Sequence, residues 1–215
     1  MAYEYSEYLL RDTPEWKAPD GVAIIGLGHK KGSGKDATAD ILENHALSNG
    51  VKVLRIAFAY TLKAVVGIMF GLEADQLTTQ EGKAAVDPFW DVTPRQMLQW
   101  VGTDCFRNVL HPKIWITVLL RRLVAALNPD EDTLVLITDV RFPDEANAIR
   151  KWGGVVWRID RPSVLEAEAE AKAANNPPHV SETALDDYEN WDAFIPNDGT
   201  LEELRTTVLA LIDQA

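Results

Sequence analysis

The feature that most constrains this chain is a glycine-rich loop, residues 28–38, which reads Gly-His-Lys-Lys-Gly-Ser-Gly-Lys-Asp-Ala-Thr. An apolar run, 22–27, precedes the loop, and a helical run, 38–47, follows it. In a strand–loop–helix of this kind, successive backbone N–H groups and a helix N-terminus point at one anion, and a lysine adds a full positive charge. The pattern therefore predicts a nucleoside triphosphate site formed by Lys30, Lys31, Gly32, Ser33, Gly34, Lys35, Asp36 and Ala37.

Two positions differ from the usual G-x-x-x-x-G-K-[ST] pattern. His29 stands where the first glycine belongs, and Asp36 replaces the hydroxyl residue that binds magnesium. A carboxylate in the first helical turn favours the helix dipole and can hold Mg²⁺ directly or through water. We therefore expect Mg²⁺ as the cofactor and Asp36 as its candidate ligand. The alternative is that Asp36 caps the helix in a plain glycine-rich turn.

Composition excludes several classes of protein. The formal net charge of −12 argues against general nucleic-acid or anionic-membrane binding, which needs a broad basic surface. A single cysteine among 215 residues excludes a disulfide framework and fits a reducing compartment. No stretch approaches the roughly 20 apolar residues of a membrane span. The protein is predicted to be cytoplasmic, with no nucleic-acid or membrane partner.

Strand-like and helix-like runs alternate along the chain, which predicts a doubly wound α/β domain with a mostly parallel sheet and helices on both faces. Residues 1–20 are interpreted as an N-terminal arm, and 21–215 as the domain. Strands are expected at 22–26, 51–57, 133–138, 155–159 and 193–195. Helices are expected at about 37–49, 62–70, 93–101, 104–110, 114–127, 143–152, 164–174 and 201–212, with an irregular stretch at 78–91.

Charged residues follow several of the predicted strands. Ligands of open α/β sheets gather at the carboxyl ends of the strands, so Lys35, Lys63, Asp139 and Arg141 are expected to converge. Phosphoryl transfer depends mainly on holding the reactants in line and on neutralising the developing charge. Lysine and arginine side chains at this edge meet that requirement.

Eight sequence features, of which the first belongs to the loop, occur in order between residue 22 and the C-terminus. They are S-G-K-D (33–36), F-A-x-x-L-K (58–63), R-x-x-L-Q-x-x-G-T-D (95–104), Trp115, D-V-R-F-P-D-E (139–145), R-P (161–162), H-V-S-E (179–182) and N-D-G-T-L-E-E-L (197–204). In these features the chain resembles bacteriophage deoxynucleoside monophosphate kinases, members of the P-loop nucleoside monophosphate kinase superfamily.

The resemblance implies a three-layer P-loop fold with a nucleoside monophosphate (NMP)-binding insertion at about 58–130 and a lid at about 160–180. It also implies transfer of the ATP γ-phosphoryl group to a deoxynucleoside monophosphate (dNMP), a homodimer, and host cytoplasm as the location if the gene is phage-encoded. The implied catalytic residues are Lys35, Arg95, Arg141 and Arg161. The acceptor site would include Lys63, Arg95, Gly102, Thr103, Trp115, Asp139, Arg141 and Glu145, and the ATP site Asn197, Gly199 and Thr200.

Simpler interpretations of several residues stay open. Trp115 can serve packing in an apolar helix, and Arg95 can be a solvated charge. Asp139 and Arg141 can form a structural ion pair. Thr200 can cap the last helix, and Ser181 is expected to cap another.

The lid and the activity have alternatives as well. Arg158 and Arg161 are the candidate charge-stabilising residues of the lid, but the stretch 163–178 can instead be an exposed acidic connector. The acceptor can be another small-molecule phosphate, since animal-type phosphomevalonate kinases share a loop that ends in S-G-K-D and a later D-x-R. The chain can also be a non-catalytic nucleotide-binding regulatory module.

Overall fold

The computed structural model describes residues 16–173 and 179–212. Its centre is a five-stranded parallel sheet in the order β2-β3-β1-β4-β5. The strands are β1 (Val22–Gly28), β2 (Lys52–Ile56), β3 (Thr133–Val140), β4 (Val155–Asp160) and β5 (Ala193–Pro196). All five lie where the hydrophobic runs predict strands, and the parallel pairing explains why β3 is apolar on both faces.

Most α-helices of the described residues lie where the sequence predicts helices, and two short ones, at 74–78 and 80–84, lie outside the predicted helices. The α-helices are α1 (Lys35–Ser48), α2 (Ala59–Phe70), α3 (Ala74–Thr78), α4 (Gln80–Ala84), α5 (Pro94–Gln99), α6 (Ile114–Ala126), α7 (Pro143–Lys151), α8 (Pro162–Ala173), α9 (Val180–Thr183) and α10 (Leu201–Ile212). A π-helix, Trp100–Leu110, follows α5 directly. Within the described residues, no helix combines the length and the apolar character needed to cross a membrane.

The chain divides into two compact units. The first unit spans 58–122, and the second contains the described residues of 16–57 and 123–212. The sheet and the phosphate-binding loop belong to the second unit, so each unit is described separately.

Helices cover both faces of the sheet in the second unit. On one face, Leu27 of β1 packs in a cluster with Leu42 of α1 and Val208 of α10. Because side chains alternate along a strand, Gly26 faces the other side, where a Cβ atom would come 2.6 Å from Ile149 of α7. The helix–sheet–helix sandwich that was predicted is therefore confirmed.

In the first unit, five buried side chains form a core: Val66, Leu72, Leu77, Met97 and Val101. The start of α5 follows the sequence prediction. Thr93 Oγ1 accepts a hydrogen bond from the Gln96 N–H at 3.2 Å, and the Gln96 side chain accepts one from the Thr93 N–H at 2.9 Å. With Pro94 at the first helical position, this is a complete capping box.

Two predictions about this unit are wrong in detail. The expected break between helices at 101–104 is absent, since the π-helix passes through Gly102 without interruption. The stretch 78–91 is not irregular throughout, because it contains α4, whose N-cap Thr79 accepts a hydrogen bond from the Gly82 N–H at 2.9 Å. Both errors arise where local sequence offers weak stop or start signals.

Candidate functional site

The phosphate-binding loop connects β1 to α1 and requires glycine at two positions. Gly32 and Gly34 have φ angles of 79° and 109°, in the left-handed region that L side chains avoid. A Cβ atom on Gly34 would also overlap with the side-chain amide of Asn197. His29, where the usual pattern has glycine, adopts a φ of 86° and is almost fully buried.

Asn197, just after β5, braces this loop. Its side-chain amide donates a hydrogen bond to the Ser33 carbonyl at 2.8 Å, and its backbone N–H donates to the Asp160 carbonyl at 2.8 Å. The Ser33 hydroxyl is fully buried and has no hydrogen-bond partner among the described residues. A buried hydroxyl without a partner is costly, and a phosphate oxygen in the loop would satisfy it.

Lys35 is a buried cation at the start of α1. Its side chain is tucked under the loop, where Nζ donates hydrogen bonds to the carbonyl of Lys30 and, at 3.4 Å, to that of His29. Burial and the nearby positive charge of Arg141 lower the pKa of Lys35 from 10.5 to about 7, against the opposing effect of Glu182 and other carboxylates. A bound polyphosphate would stabilise the charged form.

Arg141 lies one residue beyond β3 and is held at both its backbone and its side chain. Its guanidinium Nη1 is 2.6 Å from Oε2 of Glu182. Its backbone N–H donates to Oε2 of the buried Glu145 at 2.8 Å, and the Phe142 N–H donates to the same oxygen at 3.2 Å. Glu145 therefore fixes the turn that carries Arg141, while its predicted contact with an acceptor stays a prediction.

Lys30 in the loop is tied to a segment far along the chain. Its ammonium group donates to the Glu182 carbonyl at 2.9 Å and forms an ion pair with Asp186. The nearby α9 does not begin as predicted. His179, rather than Ser181, is its N-cap, and His179 Nδ1 accepts a hydrogen bond from the Ser181 N–H at 3.2 Å.

Asp160, the last residue of β4 and the first of the predicted lid, contacts the phosphate-binding loop through its side chain. His29 Nδ1 lies 2.6 Å from its carboxylate, and Arg158 Nε donates to both carboxylate oxygens at 2.9 and 2.8 Å. Burial opposes ionisation of Asp160, but these two contacts outweigh it and lower the pKa of the carboxyl. Arg158 is therefore anchored to the sheet, whereas Arg161 is exposed immediately before α8.

Asp36 projects from the first turn of α1 into solvent. Its carboxylate is 89% exposed and lies 3.1 Å from Nη2 of Arg55, which also pairs with Asp40 and Glu43. No group of three or more potential metal ligands occurs among the described residues. A single accessible carboxylate suits Mg²⁺, which commonly uses one or two protein carboxylates together with phosphate oxygens and water.

In the first unit, Trp115 and Gly102 contact each other directly. The Trp115 ring is 6% exposed, and its Nε1–H donates to the Gly102 carbonyl at 2.8 Å. Phe106 packs against the ring with centroids 5.4 Å apart. These contacts give Trp115 a packing role, and its predicted contact with a base stays a prediction. Thr103, the next residue after Gly102, is buried.

The other acceptor-site candidates of this unit are partly buried. Arg95 donates from Nη2 to Oε1 of Gln80 at 3.2 Å, so its side chain has a protein partner rather than water alone. Lys63 lies on α2 and is also partly buried.

At the other end of the chain, Thr200 does cap α10. Its Oγ1 accepts a hydrogen bond from the Glu203 N–H at 3.3 Å, and Glu203 Oε2 accepts one from the Thr200 N–H at 2.7 Å.

Sequence reasoning missed Glu182, Asp186 and Asn197 as partners of the loop. The H-V-S-E and N-D-G-T motifs marked these positions, but no local pattern indicates that residues about 150 positions away contact the loop. Their roles become visible only in the folded chain.

The parallel sheet, the left-handed glycines and the buried lysine define a P-loop nucleotide-binding domain. The sequence model of the family described as deoxynucleotide monophosphate kinase matches residues 78–208. A protein of Acanthamoeba polyphaga mimivirus, provisionally named deoxynucleotide monophosphate kinase, is 32% identical over 210 residues. The match covers 90% of this chain and 98% of the mimivirus protein. The chain belongs to the deoxynucleotide monophosphate kinase family.

Other similar proteins match over part of the chain or at lower identity. The deoxynucleoside-5′-monophosphate kinase of Escherichia phage T5 is 35% identical over 96 residues, which is 44% of this chain and 35% of the phage protein. Among solved structures, Mycobacterium tuberculosis APS kinase in complex with AMPPNP and APS is 16% identical, with a TM-score of 0.47, over 91% of this chain and 99% of its own. Aquifex aeolicus shikimate kinase is 16% identical, with a TM-score of 0.44, over 89% of this chain and 96% of its own.

Proposed function

We propose that this protein transfers the γ-phosphoryl group of ATP to a deoxynucleoside 5′-monophosphate, giving ADP and the deoxynucleoside diphosphate. The observation that carries the proposal is Lys35, a buried lysine with a lowered pKa beneath a loop whose glycines are left-handed. Such a loop is built for polyphosphate, and family membership supports a nucleotide as the acceptor.

The donor phosphates would lie in the loop. Backbone N–H groups of residues 30–37 and the Ser33 hydroxyl would bind their oxygens, and Lys35 would neutralise charge that develops during transfer. Because Lys35 already donates hydrogen bonds to loop carbonyls, it would exchange these partners for phosphate oxygens when ATP binds. Asn197, Gly199 and Thr200 would lie near the donor base, and Asn197 would in addition keep the loop in its binding conformation.

Arg141 would bind the acceptor phosphate. A guanidinium can hold a phosphate through two parallel hydrogen bonds, and this one has its backbone fixed by Glu145. Arg95 and Arg161 are its proposed partners in charge neutralisation. The remaining proposed acceptor contacts are Lys63, Gly102, Thr103, Trp115, Asp139 and Glu145.

Mg²⁺ is the proposed cofactor, held by Asp36 together with the donor phosphates. The chemistry that the ion would supply there is neutralisation of the negative charge on the donor phosphates. Asp36→Ala is expected to shift the Mg²⁺ dependence of the rate to higher concentration, because a ligand is lost. Asp40→Ala is the matched control, since it removes a second carboxylate partner of Arg55 one turn further along α1. Identical Mg²⁺ titrations of the wild type and Asp36→Ala would show that Asp36 is not a Mg²⁺ ligand and is only an acidic residue in the first turn of α1.

The proposed organisation follows the family. Residues 58–130 would form the NMP-binding insertion, and residues 160–180 would form a lid that closes over the phosphates and excludes water. The described part of that lid contains Arg161 and the exposed start of α8, and residues 174–178 lie outside the described residues. Residues 1–20 would be an appended arm, of which 1–15 also lie outside them.

ADP formation from ATP and Mg²⁺ tests the proposal, with a panel of deoxy- and ribonucleoside monophosphates as acceptors and phosphomevalonate as the competing acceptor. The expected result is ADP formation that requires a dNMP and disappears in Lys35→Met. Formation of ADP with phosphomevalonate alone would indicate a different small-molecule kinase. Nucleotide binding without turnover on any acceptor would indicate a regulatory module.

A further inference from the structure

One short segment contacts both the phosphate-binding loop and the proposed acceptor arginine. This bracing segment, residues 179–186, consists of the four-residue helix α9 with its N-cap His179 and the turn that follows. The Glu182 carboxylate lies 2.6 Å from Nη1 of Arg141, while the carbonyl of the same residue accepts a hydrogen bond from Lys30 at 2.9 Å. Asp186 pairs with the Lys30 ammonium.

We propose that Glu182 is a positioning residue for phosphoryl transfer, whose carboxylate holds the Arg141 guanidinium ready for the acceptor phosphate, while Asp186 holds Lys30 and thereby the donor loop. This inference rests on the proposed function of the same site. It assigns the two carboxylates of one segment to the two substrates of the reaction.

The case for Glu182 begins with the flexibility of arginine. An unrestrained arginine side chain loses conformational entropy when it is fixed, and that cost would fall on substrate binding. A carboxylate on one terminal nitrogen fixes the side chain beforehand. Because a guanidinium has five N–H donors, a contact through Nη1 leaves donors for a phosphate.

Burial makes the Arg141–Glu182 pair stronger than an ordinary surface pair. The side chains are 25% and 22% exposed, so water screens them only in part.

Asp186 serves as the internal comparison. Its carboxylate pairs with Lys30, which is almost fully buried and whose carbonyl accepts a hydrogen bond from the Lys35 ammonium. Loss of this pair should disturb the donor loop. The two carboxylates therefore belong to the same segment but contact residues that are proposed to serve different substrates, so their substitutions should affect different Michaelis constants.

Steady-state kinetics of Glu182→Gln and Asp186→Asn test the inference, with ATP and the most active dNMP of the acceptor panel each varied in turn. For Glu182→Gln we expect the KM for the dNMP to rise and kcat to fall, each by about tenfold, as for the loss of one charge-assisted hydrogen bond. The KM for ATP should stay within twofold. For Asp186→Asn we expect the opposite result, in which the KM for ATP rises more than the KM for the dNMP. Glu189→Gln, at an exposed position beyond the segment, is the control for loss of a carboxylate.

Glu182→Asp restores the charge at shorter reach and should recover part of the activity, which also covers the case in which Glu182→Gln folds poorly. The inference would be overturned if Glu182→Gln shifted the KM for both substrates equally, or if its kcat and KM stayed within twofold of the wild-type values.

Calorimetric titration of dGMP and dTMP into ATP-free protein tests the inference separately from the proposed function, because the titration needs no turnover. We expect about tenfold weaker dNMP binding in Glu182→Gln than in the wild type, and equal affinities overturn the positioning role even if transfer is confirmed. An absence of transfer in the wild type overturns the proposed function instead.

Discussion

Replacing Lys35 by methionine should abolish ATP-dependent phosphoryl transfer. It should also remove a pH-dependent penalty that the buried charge places on the folding stability of the unliganded protein. Methionine keeps much of the length of the lysine side chain without its charge. The charge is costly in the free protein because burial, and secondarily Arg141, lower the pKa of Lys35 from 10.5 to about 7. A phosphate bound beside Lys35, as the proposed function requires, would offset this cost.

The size of this effect follows from the pKa difference. A drop of about 3.5 units corresponds to roughly 5 kcal/mol of folding free energy, at about 1.4 kcal/mol per unit. Methionine also gives up the hydrogen bonds to the carbonyls of His29 and Lys30, at a cost of about 1–3 kcal/mol each. Since that second cost does not vary with pH, the pH dependence isolates the effect of the charge.

The direction of the pH dependence is fixed by the lowered pKa. Between pH 7 and 10.5 the unfolded chain keeps the Lys35 proton while the folded chain releases it, so the stability of the wild type rises with pH in this window. The penalty is complete below pH 7 and declines above it. At pH 9.5, about 3 kcal/mol of it should have disappeared.

Urea unfolding of both proteins at pH 6.0 and 9.5, followed by circular dichroism, measures the effect. The stability of Lys35→Met relative to the wild type should be about 3 kcal/mol less favourable at the higher pH. Lys151→Met, which removes an exposed lysine at the end of α7, should show almost no such change. The reasoning is refuted if the difference between Lys35→Met and the wild type is the same at both pH values.

Three further predictions concern the loop and the first unit. When ATP binds at pH 8, the protein should take up close to one proton, because Lys35 recovers its charge beside the phosphates, and at pH 6 it should take up far less. Calorimetry in buffers of different ionisation enthalpy measures this uptake. Equal uptake at the two pH values would contradict the prediction. Gly34→Ala should weaken ATP binding by roughly tenfold or more, since a Cβ would be strained at φ 109° and would overlap with Asn197; an unchanged Kd would contradict the loop geometry. Trp115→Phe should destabilise the protein by about 1–2 kcal/mol in urea unfolding because the buried Gly102 carbonyl loses its donor, and unaltered stability would rule that bond out as a contributor.

Local patterns were sufficient for the five strands and for the longer α-helices, but not for the short helices α3 and α4 or for the π-helix. The apolar run before the loop, the Thr93-Pro94 cap and the Leu201–Ile212 helix each carry their own signals, and each lies where those signals place it. The errors fall where a local signal is shared between neighbours. Ser181 has the chemistry of an N-cap, but His179 occupies the cap position two residues earlier and its ring accepts the Ser181 N–H.

The candidate site could be predicted only in outline. The loop motif identified Lys35, but not its depth of burial or its low pKa, which depend on how the loop folds back over the side chain. Glu182 and Asp186, which contact the side chains of Arg141 and Lys30, follow the loop by about 150 positions. Such contacts are set by the order of the parallel strands and not by any pattern within a short window.

The most direct test of the central claim is to follow the label of γ-³²P-ATP after incubation with the protein, Mg²⁺ and a dNMP, and to separate the nucleotides by chromatography. We expect the label to appear in the deoxynucleoside diphosphate, in amounts equal to the ADP formed, and to be absent from it in Lys35→Met. Label that remains in ATP, or that appears only as inorganic phosphate, would contradict transfer to a deoxynucleotide.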